Sequence, residues 1–356
     1  MSAPRFDHND CHRLASQLLV HRGLIPEAAV AVARTLVEAD LLGHDTHGLA
    51  LLARYLDDLE SGAMNADPSP VIVRDTGPTV VWDAEWRSGV WTTIRAVDEA
   101  VDRALRFGIA AVAVRRAHHI ACLQAYLEQA TRRGIVVSIT CSDPSAATVV
   151  PFGGRDAVFQ PDPIAFGIPT DGDPILIDMS TSITSNAIVA RAAAEGQPLP
   201  GEWVQDRDGT PTNDASVVSG GGALLPVGGS DHGHKGFNLA LIVESLTQGL
   251  AGFGRAGAPE RWTADVLVQA WDPDAFSGSG SFTAATSEIV RRVRDSSPIQ
   301  ASAPVRLPGQ AALARKRRAL DDGLVLAPQI AESLSRLALG SGFEPLVALD
   351  SGGDRP

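Results

Sequence analysis

The chain has 356 residues, 44% hydrophobic and 20% charged, an ordinary balance for a folded globular protein of one or two domains. Its 42 acidic and 30 basic side chains leave a net charge of −12, which argues against nonspecific nucleic-acid binding. The three cysteines, Cys11, Cys122 and Cys141, include no C-x-x-C pair, which speaks against a disulfide framework or a thiolate zinc site, and no apolar run approaches the roughly 20 residues that cross a bilayer. The opening stretch MSAPRFDHNDCHRL lacks an apolar signal-peptide core, so a cytoplasmic location is expected. Residues 7–22 and 27–42 repeat apolar side chains at helical spacing, and Leu49 to about Glu60 predicts a third helix. PVIVRDTG and TVVWDAEW alternate like strands. Trp91–Arg106 reads as a helix, IAAVAVRRAHH as a buried strand with a polar end, CLQAYLEQATRRG as a helix and GIVVSITCSD as a strand. A Pro/Gly-rich loop leads to the strand PILIDMSTS, then a helix near Asn186–Glu195 and a polar surface excursion through LPGEWVQDRDGTPTND. VGGSDHGHKG is a glycine-rich turn before a helix, VLVQAWDP a strand, and SEIVRRV the end of another helix. VRLPGQ predicts a last strand and turn, followed by helices near Ala311–Asp322 and Pro328–Leu339. Strands alternating with helices indicate an α/β core, flanked by helical termini that pack together; the tail DSGGDRP is expected to be disordered.

The stretch Gly43-His44-Asp45-Thr46-His47-Gly48 concentrates two imidazoles, a carboxylate and a hydroxyl at a helix entrance. His47 is the leading candidate for proton transfer, since histidine titrates near neutral pH. The plainer reading is a helix start capped by Asp45 or Thr46. Two further clusters, His118/His119 and His232/His234 with Lys235, also stand at junctions where ligand sites form in α/β proteins. Lys235, on a glycine turn before a helix, suits a phosphate, or else is a solvated lysine at a helix entry. Two patterns mislead. Gly252 to Gly257 matches G-x-G-x-x-G but follows a helix rather than a strand, so a Rossmann assignment fails. His44 and His47 lack the companion ligands of a metal motif, so no metal is expected, although a metal hydrolase stays open as a minor reading.

GHDTHGLALLARYLDDLESG, RRAHHIACLQAY, PDPIAFGIPT, LIDMSTS, GQPLPGEWVQDRDGTPTND, GGALLPVGG, GHKGFNLALIVESL and RLPGQ occur in the order and spacing of the type 2 malate/L-lactate dehydrogenase family, which the chain resembles over nearly its whole length. AHHIACL is most similar to the cyclic-imine (Δ1-piperideine-2-carboxylate) reductase branch. The resemblance implies an NAD(P)-dependent oxidoreductase with a non-Rossmann, mixed α+β fold. A helical domain from residues 1–65 and 304–345 would flank a cofactor and substrate region, 66–303, with a largely antiparallel sheet; residues 346–356 would be a disordered tail. It implies a homodimer, a small-molecule substrate and NADP or NAD as cofactor, with NADPH favoured. His47 matches the family's proton donor, and Thr46 stands in place of its relay serine. His118, His119, Ile120, Ala121 and Cys122 match cofactor-contacting positions, as do Asp178, Met179 and Ser180, the His234/Lys235 pair and the Pro308-Gly309 turn, with the register near Ala314/Arg315 left open.

Three positions depart from the family pattern. Leu51 replaces an arginine that holds the substrate carboxylate, Gln160-Pro161-Asp162-Pro163 replaces G-T-N-P, and Ile188 replaces a relay aspartate. An arginine–carboxylate fork is a strong directional contact. The expected reaction is therefore hydride transfer to a C=O or C=N substrate other than a simple 2-keto acid, with Leu51, Pro161 and Asp162 shaping the pocket and Asp162 able to attract a cationic group. The alternative is a degenerate member that binds the cofactor without turnover.

Overall fold

The computed structural model describes residues 4–67 and 69–349. Strand β1 (Arg5–Phe6) leads into helix α1 (His8–His21), where the Asp7 carboxylate accepts the backbone N–H groups of Asn9 and Asp10. Helix α2 (Pro26–Leu42) opens on a proline, which loses no hydrogen bond there, and ends at Gly43 with φ of 91°. The third predicted helix starts differently: a single 3₁₀ turn at Leu49–Leu51 precedes α3 (Leu52–Glu60). The chain continues through β2 (Val71–Asp75), β3 (Thr79–Asp83), α4 (Gly89–Phe107), β4 (Ile109–Ala117), α5 (Gln124–Thr131), β5 (Val136–Ser142), β6 (Ile164–Ile168), β7 (Ile175–Met179) and α6 (Asn186–Glu195). Then come β8 (Val204–Gln205), β9 (Pro211–Thr212), β10 (Ala223–Leu224), α7 (Gly229–His232), α8 (His234–Glu244), β11 (Ala264–Trp271), α9 (Ser279–Arg294), α10 (Gln310–Asp322), β12 (Leu324–Val325) and α11 (Pro328–Gly340).

Seven strands form one sheet in the order β2-β3-β4-β11-β5-β6-β7. Every neighbouring pair is antiparallel except β3–β4, which is parallel and joined by the crossover helix α4. A Rossmann fold needs a mostly parallel ladder, so this is a mixed, non-Rossmann architecture, as the resemblance implies. Strand β11 lies at the centre and reads ADVLVQAW, nearly all buried, because both faces of the sheet are covered. Helices α4 and α5 cover one face; the π-helical turn Ser245–Gly249, continuing α8, covers the other. One apolar core runs unbroken from Leu14 and Leu36 through Val112 and Val268 to Leu334.

The termini do meet: β1 pairs with β12, and α10 packs on α2. Three expectations need correction. VRLPGQ forms no strand, because Pro304 and Pro308 lack the N–H a ladder requires; the Pro308 carbonyl instead accepts the Leu176 N–H at 3.2 Å. Residues 346–349, expected to belong to a disordered tail, are placed: Ala348 bridges to Phe6 and the Leu349 N–H donates to the Arg5 carbonyl; the rest of that expected tail, residues 350–356, lies outside those described. The Pro/Gly-rich stretch before β7, expected to be a loop throughout, contains strand β6, which pairs with β5 and β7.

Candidate active site

The His47 turn is clamped from both sides. The Arg315 guanidinium donates from Nε and Nη2 to the Leu42 carbonyl at 3.2 and 3.1 Å, and it fits only because Gly43 has no side chain: a Cβ there would stand 2.4 Å from Nε. The helix entry after Gly48 is capped by Asp40, whose Oδ2 accepts the Leu49 N–H at 2.7 Å, rather than by Asp45 or Thr46. A Cβ at Gly48 would fall 2.3 Å from that carboxylate. Burial pushes the Asp40 pKa up to about 7. With the turn so held, Thr46 Oγ1 lies 2.8 Å from His47 Nδ1, and His44 Nε2 lies 2.8 Å from Gln124 Oε1. Burial, joined by the neighbouring His44, lowers the His47 pKa; Asp45 opposes the shift.

The second wall is the stretch after β4. Helix α3 presents Arg54, Tyr55 and Asp58 behind it. Asp58 Oδ2 is 3.0 Å from His118 Nε2 and also receives Arg54 Nε at 2.8 Å. Tyr55 Oη is 2.8 Å from His119 Nδ1, and Trp262 stacks on His119 with centroids 4.3 Å apart. Ala121 takes a left-handed backbone, φ 56°, and the Tyr126 hydroxyl donates to the Ile120 carbonyl. The third wall carries Asp178, whose Oδ2 accepts the Gln124 N–H at 2.9 Å. The fourth is the 160–163 turn, tied to the first residues after β7 by the Thr181 N–H donating to the Pro161 carbonyl at 2.7 Å. Here Asp162 has φ of 41°, is fully buried, and neither carboxylate oxygen has a partner among the described residues; burial and the nearby Glu244 raise its pKa well above the ordinary range. Non-glycine residues in this conformation are strained, and strain collects at functional sites.

These walls enclose a cavity of about 630 Å³. It gathers Thr46, His47, Leu51, His119, Ile120, Ala121, Cys122, Pro161, Asp162, Asp178, Met179 and Ser180, as well as Ile188, so most of the residues singled out in the sequence share one space. Five others do not line it. The His118 side chain is 1% exposed and turned onto Asp58, which withdraws it from the cavity. His234 and Lys235 are exposed at the start of α8, just outside: Val227 donates its N–H to the Thr181 carbonyl, and a Cβ on Gly236 would touch that same carbonyl at 2.6 Å. Pro308 and Gly309 pack on Leu176, away from the opening. His44, Cys122 and Asp178 place donor atoms within 4.8 Å of one another, the one such group among the described residues. Their donor atoms are already engaged with Gln124 or each other, and burial keeps the Cys122 thiol protonated, so the set is a hydrogen-bonded strut rather than a thiolate ligand set.

The sequence reading missed Asp40, Asp58, Trp262 and Arg191. Asp58 carries a weak signal, its i, i+4 spacing from Arg54 on a helix; Trp262 comes from a distant loop and carries none.

A model of the malate/L-lactate dehydrogenase family matches residues 6–335. The chain belongs to this family. One family relative, the Δ1-pyrroline-2-carboxylate/Δ1-piperideine-2-carboxylate reductase of Pseudomonas syringae pv. tomato, is 33% identical over 341 residues, covering 91% of this chain and 94% of the relative. The NAD(+) ureidoglycolate dehydrogenase of Escherichia coli O157:H7 is 30% identical, with 92% and 94% covered. The crystal structure of the Δ1-piperideine-2-carboxylate reductase from Pseudomonas syringae superposes with a TM-score of 0.81 at 32% identity, covering 94% of this chain and 99% of that one. The protein is thus an oxidoreductase of the malate/L-lactate dehydrogenase family. No helix among the described residues is long and apolar enough to cross a membrane.

Proposed function

We propose that the protein reduces a C=O or C=N carbon with hydride from a nicotinamide cofactor, and that His47 is the proton donor. The observation that carries this reading is the 2.8 Å contact between Thr46 Oγ1 and His47 Nδ1, both of which line the cavity. A hydrogen bond at one ring nitrogen fixes the ring and leaves the other for proton transfer. The cavity volume falls within the range of ligand sites, and its wall offers backbone around Ala121 and the unpartnered Asp162, groups that suit a carboxamide-bearing ring. Ile120 to Cys122 and Asp178 to Ser180 would hold the nicotinamide end, and His234 with Lys235 the phosphates. When bound, a reduced nicotinamide supplies the hydride. His47, as imidazolium, protonates the oxygen or nitrogen as negative charge develops, and Thr46 keeps the ring aimed. Leu51 offers no fork for a carboxylate, so simple 2-keto acids are poor substrates.

His47→Ala should cost about 10³-fold in kcat, within the usual worth of general acid catalysis, while cofactor binding stays within about twofold by titration with NADPH and NADH. Because the His47 pKa lies below the ordinary 6.5, the proton-loaded form is lost early as pH rises. Reduction should fall through that pKa and the reverse oxidation should climb. Unchanged turnover in the alanine variant removes His47 from the chemistry. Cofactor binding with no turnover by the unmodified protein over ketones, 2-keto acids and cyclic imines would favour a degenerate binder.

A further inference from the structure

His119 is built as a hydrogen-bond donor. Its Nδ1 faces Tyr55 Oη at 2.8 Å, and the Ala121 N–H approaches the same nitrogen at 3.4 Å. Tyr55 is 1% exposed, and burial pushes its pKa up, so the phenol keeps its proton and has one to donate. Tyr55 Oη also lies 3.3 Å from the His119 carbonyl, but its contact with Nδ1 is the shorter and the Ala121 N–H points at that same nitrogen, so Nδ1 is the acceptor and the neutral ring holds its hydrogen on Nε2. Burial also pulls the His119 pKa well down, which keeps the ring neutral. Trp262 fixes the ring plane by stacking, and the Arg54 guanidinium, 5.2 Å from the Trp262 ring centroid, holds the indole in turn. No hydrogen bond to Nε2 occurs among the described residues, and His119 lines the cavity with its ring centroid 5.9 Å from that of His47.

We propose that His119 Nε2–H is a second donor to substrate, its tautomer set by Tyr55, and that the site takes an uncharged carbonyl compound with a second acceptor on the adjacent carbon, an α-keto amide, α-keto ester or 1,2-diketone. This rests on the reading of the cavity as a reductase site. Two oxygens on adjacent carbons stand about 3 Å apart, a span that two imidazoles at this separation reach with ordinary hydrogen bonds. The charge around them favours a neutral ligand. The cavity is lined by Asp45 and by Asp143, Asp162 and Asp178, whose pKa values burial raises toward the neutral form, and its one guanidinium, Arg191, is more than half exposed and lies 3.9 Å from Asp45. A carboxylate would enter with no buried guanidinium to meet it, and the His47 imidazolium serves the reacting atom.

The test is calorimetric titration of the cofactor-loaded protein with benzoylformamide, benzoylformate and acetophenone. The unmodified protein should bind the amide at least about tenfold more tightly than the acid. His119→Phe, titrated at saturating cofactor, should weaken the amide about tenfold, the worth of one hydrogen bond, and acetophenone less than about twofold. His119→Gln, which keeps an N–H donor, should recover most of the loss. Nitrogen-15 spectra should show the Nε2–H tautomer, mixed in Tyr55→Phe, and this readout needs no altered His119. Equal weakening of amide and acetophenone, benzoylformate bound as well as the amide, or no binding of the amide would each overturn the proposal. Because binding rather than turnover is read, the outcome stands apart from the His47 result: turnover surviving His47→Ala sinks the proton-donor reading and leaves this ratio to be judged by itself.

Discussion

The two sides of the cavity differ in how completely their polar atoms are engaged. On the side of the His47 turn and the 118–124 stretch, Thr46, His44, Tyr55, Asp58 and Gln124 all have hydrogen-bond partners at 2.8–3.1 Å, and Arg315 braces the turn from the C-terminal helix α10. On the side of the 160–163 turn and α6, Asn186 donates to Gln160 at 3.1 Å, but among the described residues Asp162 has no partner, Arg191 stands 3.9 Å from Asp45, and Ile188 is 39% exposed. On the first side, His118 Nδ1 is buried and unpaired among the described residues, though its other ring nitrogen is held by Asp58. A preorganised proton donor needs the first kind of wall, since misplacement costs rate. The second kind tolerates exchange. Under the proposed reading, chemistry belongs to the wired side, and three of the four replacements, Pro161, Asp162 and Ile188, fall on the other, while Leu51 directly follows the clamped turn.

The contrast is broken most visibly by returning a charge to the cavity. Leu51 is half-buried in the 3₁₀ turn directly after the clamped loop, so its backbone is fixed before any side chain is chosen. Leu51→Arg should raise kcat/KM for a 2-keto acid such as pyruvate about 100-fold, the worth of a charge-assisted fork, and lower it for neutral ketones. Steady-state kinetics on paired substrates checks this. If acids gain nothing, the loss of the arginine is not what excludes them.

A smaller effect sharpens the wired side. Thr46→Val removes the hydroxyl but keeps the branched shape, and should lower kcat about tenfold with KM little changed, because one neutral hydrogen bond is at stake. Thr46→Ser should retain activity near that of the unmodified protein. A valine variant with full kcat would mean that the turn alone, held by Asp40 and Arg315, orients His47.

Much of this was legible in the sequence for a physical reason: local patterns report local structure. The period-3.6 and period-2 runs marked the main helices and the strands of the large sheet other than β6, and Gly43 and Gly48 marked the turn because only a missing Cβ lets Arg315 and Asp40 close on it. What stayed hidden was long-range. Asp40 caps the helix entry from nine residues upstream, where local capping rules point to Asp45 or Thr46. Trp262 reaches the cavity from the loop before β11. His118 and His119 look equivalent in sequence. Both follow the end of β4 at Ala117, yet α3 takes the first onto Asp58 and holds the second through Tyr55 on the cavity wall. VRLPGQ reads as a strand only until its prolines are counted against the ladder.

The last prediction concerns the unwired side alone. Asp162 is fully buried with neither oxygen paired among the described residues, and its pKa is raised by burial first, then by Glu244, with Arg255 opposing. A carboxyl whose folded pKa is raised contributes no penalty below the unfolded value near 3.9, and destabilises progressively as pH rises from there through the folded pKa. An asparagine side chain in its place would match the protonated acid in shape and in hydrogen-bonding capacity but could not ionise. Asp162→Asn should therefore have the stability of the unmodified protein near pH 4 and exceed it by about 1 kcal/mol at pH 8, the low end for an unpartnered buried group, as read by denaturant titration at both pH values. A gap that stays constant with pH would show that the carboxylate is satisfied in solution. The unwired wall would then have to be regarded as wired like the other, and the division between the two walls would lose its structural basis.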